Sequence, residues 1–180
     1  MLEKILEYNS EFLEKKGYEK FIAGKYPNKK VAIISCMDTR LTELLPAAMG
    51  LKNGDAKIIK NAGGVVSHPF GSVMRSLLIC IYELDVEEIL VVGHTDCGAR
   101  FTDSCKMLEK MRERGIPNEN IKLLKACGVD FKKWLRGFDD LEFSVGKSVE
   151  MIRNHPLVPD YVRVYGLVMD SVTGGLERIL

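Results

Sequence analysis

The chain has 180 residues, enough for one domain with a real core. Hydrophobic residues make up 46% and charged residues 28%, ordinary for a soluble globule. The 26 basic and 25 acidic side chains leave a net charge of +1, so there is no electrostatic case for a nucleic-acid partner.

In chain order, residues 2–22 place Leu2, Ile5, Leu6, Phe12, Leu13, Tyr18 and Phe21 at helical spacing among charges, with a break near Tyr8-Asn9-Ser10. They predict an N-terminal arm (1–25) of one or two amphipathic helices. The N-terminus is charged from Glu3 onward, so no secretory leader is expected. Nothing approaches the roughly 18 apolar residues of a membrane span, so no membrane partner is expected. A loop with Pro27 precedes a strand over 31–35, Val-Ala-Ile-Ile-Ser. Leu41 to Leu45 starts a short helix that Pro46 can enter or interrupt, and Asn53-Gly54-Asp55 is a turn. A second strand covers 56–60. Residues 63–69 form a loop, and 70–84 a strongly apolar helix that turns Val73, Leu77, Leu78, Ile81 and Leu84 to the sheet.

A third strand lies at 88–93. A helix from about 98 to 114 follows and ends at Gly115, and a short one runs from Pro117-Asn118 to near Gly128. A turn lies at 130–136. Asp139-Asp140 caps a helix that runs to about 154. A fourth strand covers 161–169, and Gly174-Gly175 leads into a last one over 176–180. Strands alternating with helices predict an α/β fold: a single domain over 1–180, with a core at 30–180 and helices on both faces of a mostly parallel sheet.

The chemistry gathers just past two strand ends. Cys36-Met37-Asp38-Thr39-Arg40 closes one buried apolar strand, and His94-Thr95-Asp96-Cys97 closes another. In open α/β sheets that edge is where ligands bind. Two thiolates and an imidazole suit Zn²⁺ and leave a fourth position open, as a catalytic zinc site requires. Asp38 and Arg40 follow Cys36 closely enough for a compact turn to pair them.

These segments resemble the β-class carbonic anhydrases. Cys36-x-Asp38-x-Arg40 and His94-x-x-Cys97 match that family's two motifs in order. Lys60-Asn61-Ala62-Gly63-Gly64 matches its Asn-Ala-Gly turn, and His155-Pro156-Leu157-Val158-Pro159 and Val164 to Asp170 its last core segments. The likeness runs from about Lys30 to the C-terminus and is greatest to the short prokaryotic branch. It implies strand order 2-1-3-4 with an antiparallel edge strand. It also implies a zinc lyase that interconverts CO₂ and bicarbonate, with Cys36, His94 and Cys97 as metal ligands and zinc-bound hydroxide as nucleophile. Asp38 would orient the hydroxide and Arg40 would hold Asp38. In some members the residue at Asp38 instead moves onto zinc, which makes Asp38 a ligand only in a closed form. Ala62, Gly63, Val65 and Val66 would line an apolar substrate pocket. A homo-oligomer, a dimer or a dimer of dimers, is implied, with the arm packed on a neighbour. Carbonyl sulfide and carbon disulfide hydrolases share the same motifs and form the alternative, together with a non-catalytic zinc-binding protein.

Other residues carry plainer readings. Five cysteines, two of them in the motifs, argue against a disulfide framework and for a reducing cytoplasm. Cys80, Cys105 and Cys127 read as core or surface thiols. Asp96 reads as a cap for the following helix. His68 reads as an exposed loop residue rather than a proton shuttle, His155 as a turn residue and Trp134 as a packing anchor. Gly63-Gly64 lacks the spacing and the Lys-Ser/Thr of a phosphate loop, so no nucleotide cofactor is expected.

Overall fold

Three apolar runs become the middle of one five-stranded sheet in the order β2-β1-β3-β4-β5. The strands are β1 (Val31–Cys36), β2 (Ala56–Asn61), β3 (Glu88–His94), β4 (Arg163–Met169) and β5 (Leu176–Arg178). The first four are parallel, and β5 runs antiparallel to β4. The structure is a computed structural model and describes residues 1–180. Every residue of β1 is buried, which is why its sequence shows no polar alternation. From β1 the chain crosses to β2 on one side, then returns to β3 on the other. The crevice beyond the carboxyl ends of β1 and β3 is therefore the point where strand order reverses, the place an open α/β sheet offers to a ligand.

Helices cover both faces. On one, α2 (Leu41–Ala48) packs Leu41 and Leu45 against Ile33, Val92 and Met169. Pro46 lies inside α2 without ending it. On the other face, α3 (Ser72–Leu84) and α7 (Leu141–Arg153) share a larger core. Met74, Leu77, Cys80 and Ile81 of α3 and Val145, Val149 and Ile152 of α7 meet Ala32, Ile34, Ile89 and Val91. Each such aliphatic side chain stabilises the fold by about 1.5–3 kcal/mol. Helix α7 sits close because β3 carries Gly93, where a Cβ would lie 2.7 Å from Val145.

Several boundaries differ from the sequence reading, each for a local reason. The arm holds one α-helix, α1 (Leu2–Glu14), unbroken at Tyr8 to Ser10, and a 3-10 turn at Glu19–Phe21; the Ser10 hydroxyl donates to the Leu6 carbonyl and stays within the helix. The apolar helix begins at Ser72, and Met74 and Cys80 take core places. Leu78 instead faces outward, in a groove with Ile79 and Tyr82. The expected 98–114 helix divides: Gly98–Phe101 is a short 3-10 turn, and α4 (Ser104–Glu113) starts afresh because the Asp103 carboxylate accepts from the backbone N–H groups of Cys105 and Lys106. Helices α4, α5 (Asn118–Ala126) and α6 (Phe131–Trp134) bury Leu108, Ile121 and Phe131 in a small core of their own. The fourth strand starts at Arg163, two residues later than expected, and the last ends at Arg178. As expected, Asp140 caps α7 by accepting from the Phe143 N–H at 2.7 Å. No helix is long and apolar enough to cross a membrane.

Candidate metal centre

Cys36 is the last residue of β1 and His94 the last of β3, and Cys97 follows three residues on. All three are buried, and their ligand atoms lie within 4.8 Å of one another. The two sulfurs are 3.7 Å apart and unbonded. Two thiolates about 2.3 Å from a tetrahedral zinc would be separated by about 3.8 Å, so the spacing fits that ion. His94 Nδ1 lies 2.8 Å from the Thr95 carbonyl, to which it donates. This fixes the tautomer and leaves the Nε2 lone pair free. Nε2 is fully buried with no hydrogen-bond partner, an arrangement that a metal ion would satisfy. Burial also lowers the His94 pKa, against the pull of the Thr95 carbonyl and Asp38, and so favours the neutral imidazole that can ligate. Burial, followed by the neighbouring Cys36 sulfur, pushes the Cys97 thiol up to about 11. A cation between the sulfurs would reverse that, because the ion is the largest local charge.

The turn after Cys36 is held by charge. Arg40 Nε donates to Asp38 Oδ1 at 3.0 Å and Nη2 to Oδ2 at 2.8 Å, a bidentate pair; the Arg40 backbone N–H adds a third bond to Oδ1 at 2.9 Å. These bonds hold the Asp38 carboxyl at about 2, well below its ordinary 3.8, and raise the Arg40 pKa in turn. Asp38 Oδ2 lies 4.0 Å from His94 Nε2, beside the three ligand atoms and turned toward Arg40. Asp96 is not the helix cap expected from its position. No backbone N–H of the following turn donates to a capping side chain. Its carboxylate accepts from Arg40 Nη1 at 2.9 Å, and its carbonyl accepts from Nη2 at 2.8 Å.

Beside the centre opens a cleft of about 1100 Å³ lined by Cys36, Asp38, Ala62, Gly63, Val65 and Val66 from the core, with Trp134 and Phe138 opposite. The Asn61 side chain shapes the near wall. Its amide donates to the Val65 carbonyl at 2.7 Å, and its oxygen accepts from the Val65 N–H at 3.0 Å, closing a ring around Ala62-Gly63-Gly64. Gly64 has φ +64, and a Cβ there would lie 2.9 Å from the Cys36 backbone nitrogen; only glycine lets this loop pass over the end of β1. Ser148 of α7 accepts from the Val66 N–H at 3.0 Å and anchors the loop from below.

Trp134 is no buried anchor. It is 69% exposed at the cleft wall, tilted against Phe131, which takes the core place instead. His68 is exposed, and its Nδ1 accepts from the Phe70 N–H at 3.0 Å. His155 is buried with both ring nitrogens engaged, by the Pro69 carbonyl and the Leu157 N–H. Cys80 is a core thiol, and Cys105 and Cys127 are exposed.

Comparison with known proteins agrees with this geometry. A family model described as carbonic anhydrase matches residues 31–176. A Bacillus subtilis (strain 168) protein named "Putative carbonic anhydrase YtiB" is 54% identical over 180 residues, which is 100% of this chain and 96% of that one. A carbon disulfide hydrolase from Acidithiobacillus thiooxidans is 31% identical over 160 residues, covering 83% of this chain and 77% of its own. The crystal structure of β-carbonic anhydrase isoform I from Trichomonas vaginalis superposes with a TM-score of 0.91 at 35% identity, across 100% of this chain and 97% of that one.

Proposed function

The chain belongs to the β-carbonic anhydrase family, and from that premise we propose that it catalyses the reversible hydration of CO₂ to bicarbonate and a proton on zinc held by Cys36, His94 and Cys97. One observation carries the reading: the free, buried Nε2 of His94 and the paired sulfurs converge beside a carboxylate that Arg40 clamps from two sides. When bound, zinc supplies the Lewis acidity that brings the ionisation of water from about 15.7 toward about 7.

The chain's own residues then do the positioning. Asp38 accepts a hydrogen bond from the attacking water and so turns a lone pair toward CO₂. Arg40 keeps Asp38 ionised and fixes its direction. A carboxyl held at about 2 cannot retain a proton near neutrality, so Asp38 orients the water and the released proton leaves to solvent. Ala62, Gly63, Val65 and Val66 give CO₂ an apolar wall. The arrangement that supports this is the one paired with Arg40, with Asp38 a ligand only if that pair opens.

The working unit is a homodimer or a dimer of dimers. Helix α1 supports this: it buries none of its residues, and Leu2, Ile5, Leu6 and Leu13 are each more than half exposed. Five unpaired cysteines support a cytoplasmic location.

The relative that hydrolyses carbon disulfide favours a second reading on the same centre, attack of water on CS₂ or COS in place of CO₂. Stopped-flow hydration by the zinc-loaded protein, across pH and beside parallel assays with CS₂ and COS, separates the two. A CO₂ rate that rises with pH is the expected result. Hydrolysis of CS₂ or COS with no CO₂ hydration would transfer the site to the second reading, and inertness toward all three would leave a zinc-binding protein.

A further inference from the structure

The proposed role of Asp38 is the basis for a further one: we propose that Asp96 is a positioning residue, holding the outer edge of the Arg40 guanidinium and so fixing the plane in which Arg40 presents Asp38. Asp38 and Arg40 lie two residues apart on one turn, so by themselves they can swing together as a unit. Asp96 is 56 residues away from Arg40 in sequence, on the turn after β3, and it takes the two N–H directions that point away from Asp38. Carboxylate and carbonyl of a single residue thus grip one guanidinium, and the residue is the immediate neighbour of Cys97. The dyad from β1 is tied to the turn that carries the other sulfur.

The backbone carries an independent sign of the same role. Asp96 has φ +51, in the left-handed region that side chains other than those of Gly, Asn and Asp rarely enter. In that conformation the carbonyl and the carboxylate of Asp96 both face Arg40. The side chain is 75% exposed, so the pair adds little to stability. A left-handed residue whose ion pair contributes little to the fold is placed for geometry.

The test uses zinc-loaded wild type, Asp96→Gly, Asp96→Asn, Arg40→Ala and the Asp96→Gly/Arg40→Ala double variant. Nitrogen-15 NMR of the Arg40 side chain reads the clamp without reference to activity. The two Nη1 protons should be held apart in wild type and merge in Asp96→Gly. In the hydration assay, kcat of Asp96→Gly should fall about fivefold with KM unchanged, the size of an exposed ion-pair coupling. Asp96→Asn keeps an oxygen acceptor and tolerates the backbone, so it should recover part of the loss. On the Arg40→Ala background, Asp96→Gly should cost nothing more. Its thermal midpoint should match or exceed that of wild type, because glycine suits φ +51. Unchanged Arg40 resonances in Asp96→Gly would overturn the proposal. So would an equal loss of kcat on the Arg40→Ala background. A wild type inert toward CO₂ would end the functional reading alone, and the Arg40 resonances would still decide whether Asp96 holds the fork.

Discussion

At the carboxyl ends of β1 and β3 each functional side chain is fixed from several directions: His94 by the Thr95 carbonyl, Asp38 by three bonds from Arg40, and the overlying loop by Asn61 and Ser148. Along α1, 13 residues long, no side chain is buried and the apolar stripe faces solvent. The centre leaves one kind of group unsatisfied, the buried His94 Nε2 beside the two sulfurs. The arm leaves another, apolar area with nothing over it. Each deficit indicates what is to be supplied: an ion in the first case, a protein surface in the second. Where the chain over-determines geometry it fixes the ligands for an ion, and where it leaves an apolar face bare it calls for a second surface.

The comparison breaks most decisively at the sulfurs. The zinc-loaded protein should carry close to one zinc per subunit, and Cys36→Ser or Cys97→Ser should lose most of it, as metal analysis after dialysis will show. Full retention in both variants removes the centre. Because the Cys97 thiol is pushed up to about 11, it is protonated in the metal-free protein at pH 7 and must release its proton to bind. Zinc titrated into weakly buffered apo-protein should then liberate at least one proton per ion, and affinity should fall as pH drops.

The next largest effect is expected in the backbone over β1. Gly64→Ala would place a Cβ against the Cys36 nitrogen and the Ser35 carbonyl carbon, at 2.9 and 3.1 Å, at a left-handed φ. Neither neighbour is a side chain that can move aside. A loss of about 3 kcal/mol by urea denaturation is expected; a loss below about 0.5 kcal/mol would show that the loop is free to shift. Arg40→Ala comes next. It should keep its zinc and lose about a hundredfold in hydration, the upper range for a partner that orients groups at a metal. Wild-type activity in that variant would remove Asp38 and Arg40 from the mechanism.

What the sequence disclosed follows the same division. The strands were legible because β1 is buried throughout and β3 from Val91 on, so both read as apolar runs, and the ligands because each motif sits at the end of one. Cys80 and Leu78 were harder to place, since a helix packed on a twisted sheet uses a stripe whose edges periodicity alone does not draw. The Asp96 contact could not be read, because its partner lies 56 residues away and depends on a left-handed backbone that sequence does not announce. The break before α4 does carry a local signal: Asp103 stands where an N-cap should, ahead of the apolar residues of α4. Phe12 has the spacing of the arm's apolar stripe, but its ring lies tilted against Phe21 and fills the space that Gly17 leaves open.

The smallest effect on the protomer itself is expected in α1, and that smallness is what sharpens the comparison. Ile5 and Leu6 are 56% and 52% exposed, so replacing both by Asp removes almost no packing within the subunit. Surface changes of this kind stay within about 0.5 kcal/mol, and the unfolding midpoint of the dissociated chain should hardly move. The same two carboxylates would be buried without partners if the stripe docks on a second copy, at a cost far above that. Ile5→Asp/Leu6→Asp should therefore shift sedimentation toward monomer at micromolar concentration while zinc content stays at one per subunit. Hydration should fall with the dimer if the neighbour closes the open side of the cleft. A double variant that sediments as wild type does would show that α1 lies outside the interface. A monomer with full activity would show that Val65, Val66 and the rest of the near wall suffice for the substrate.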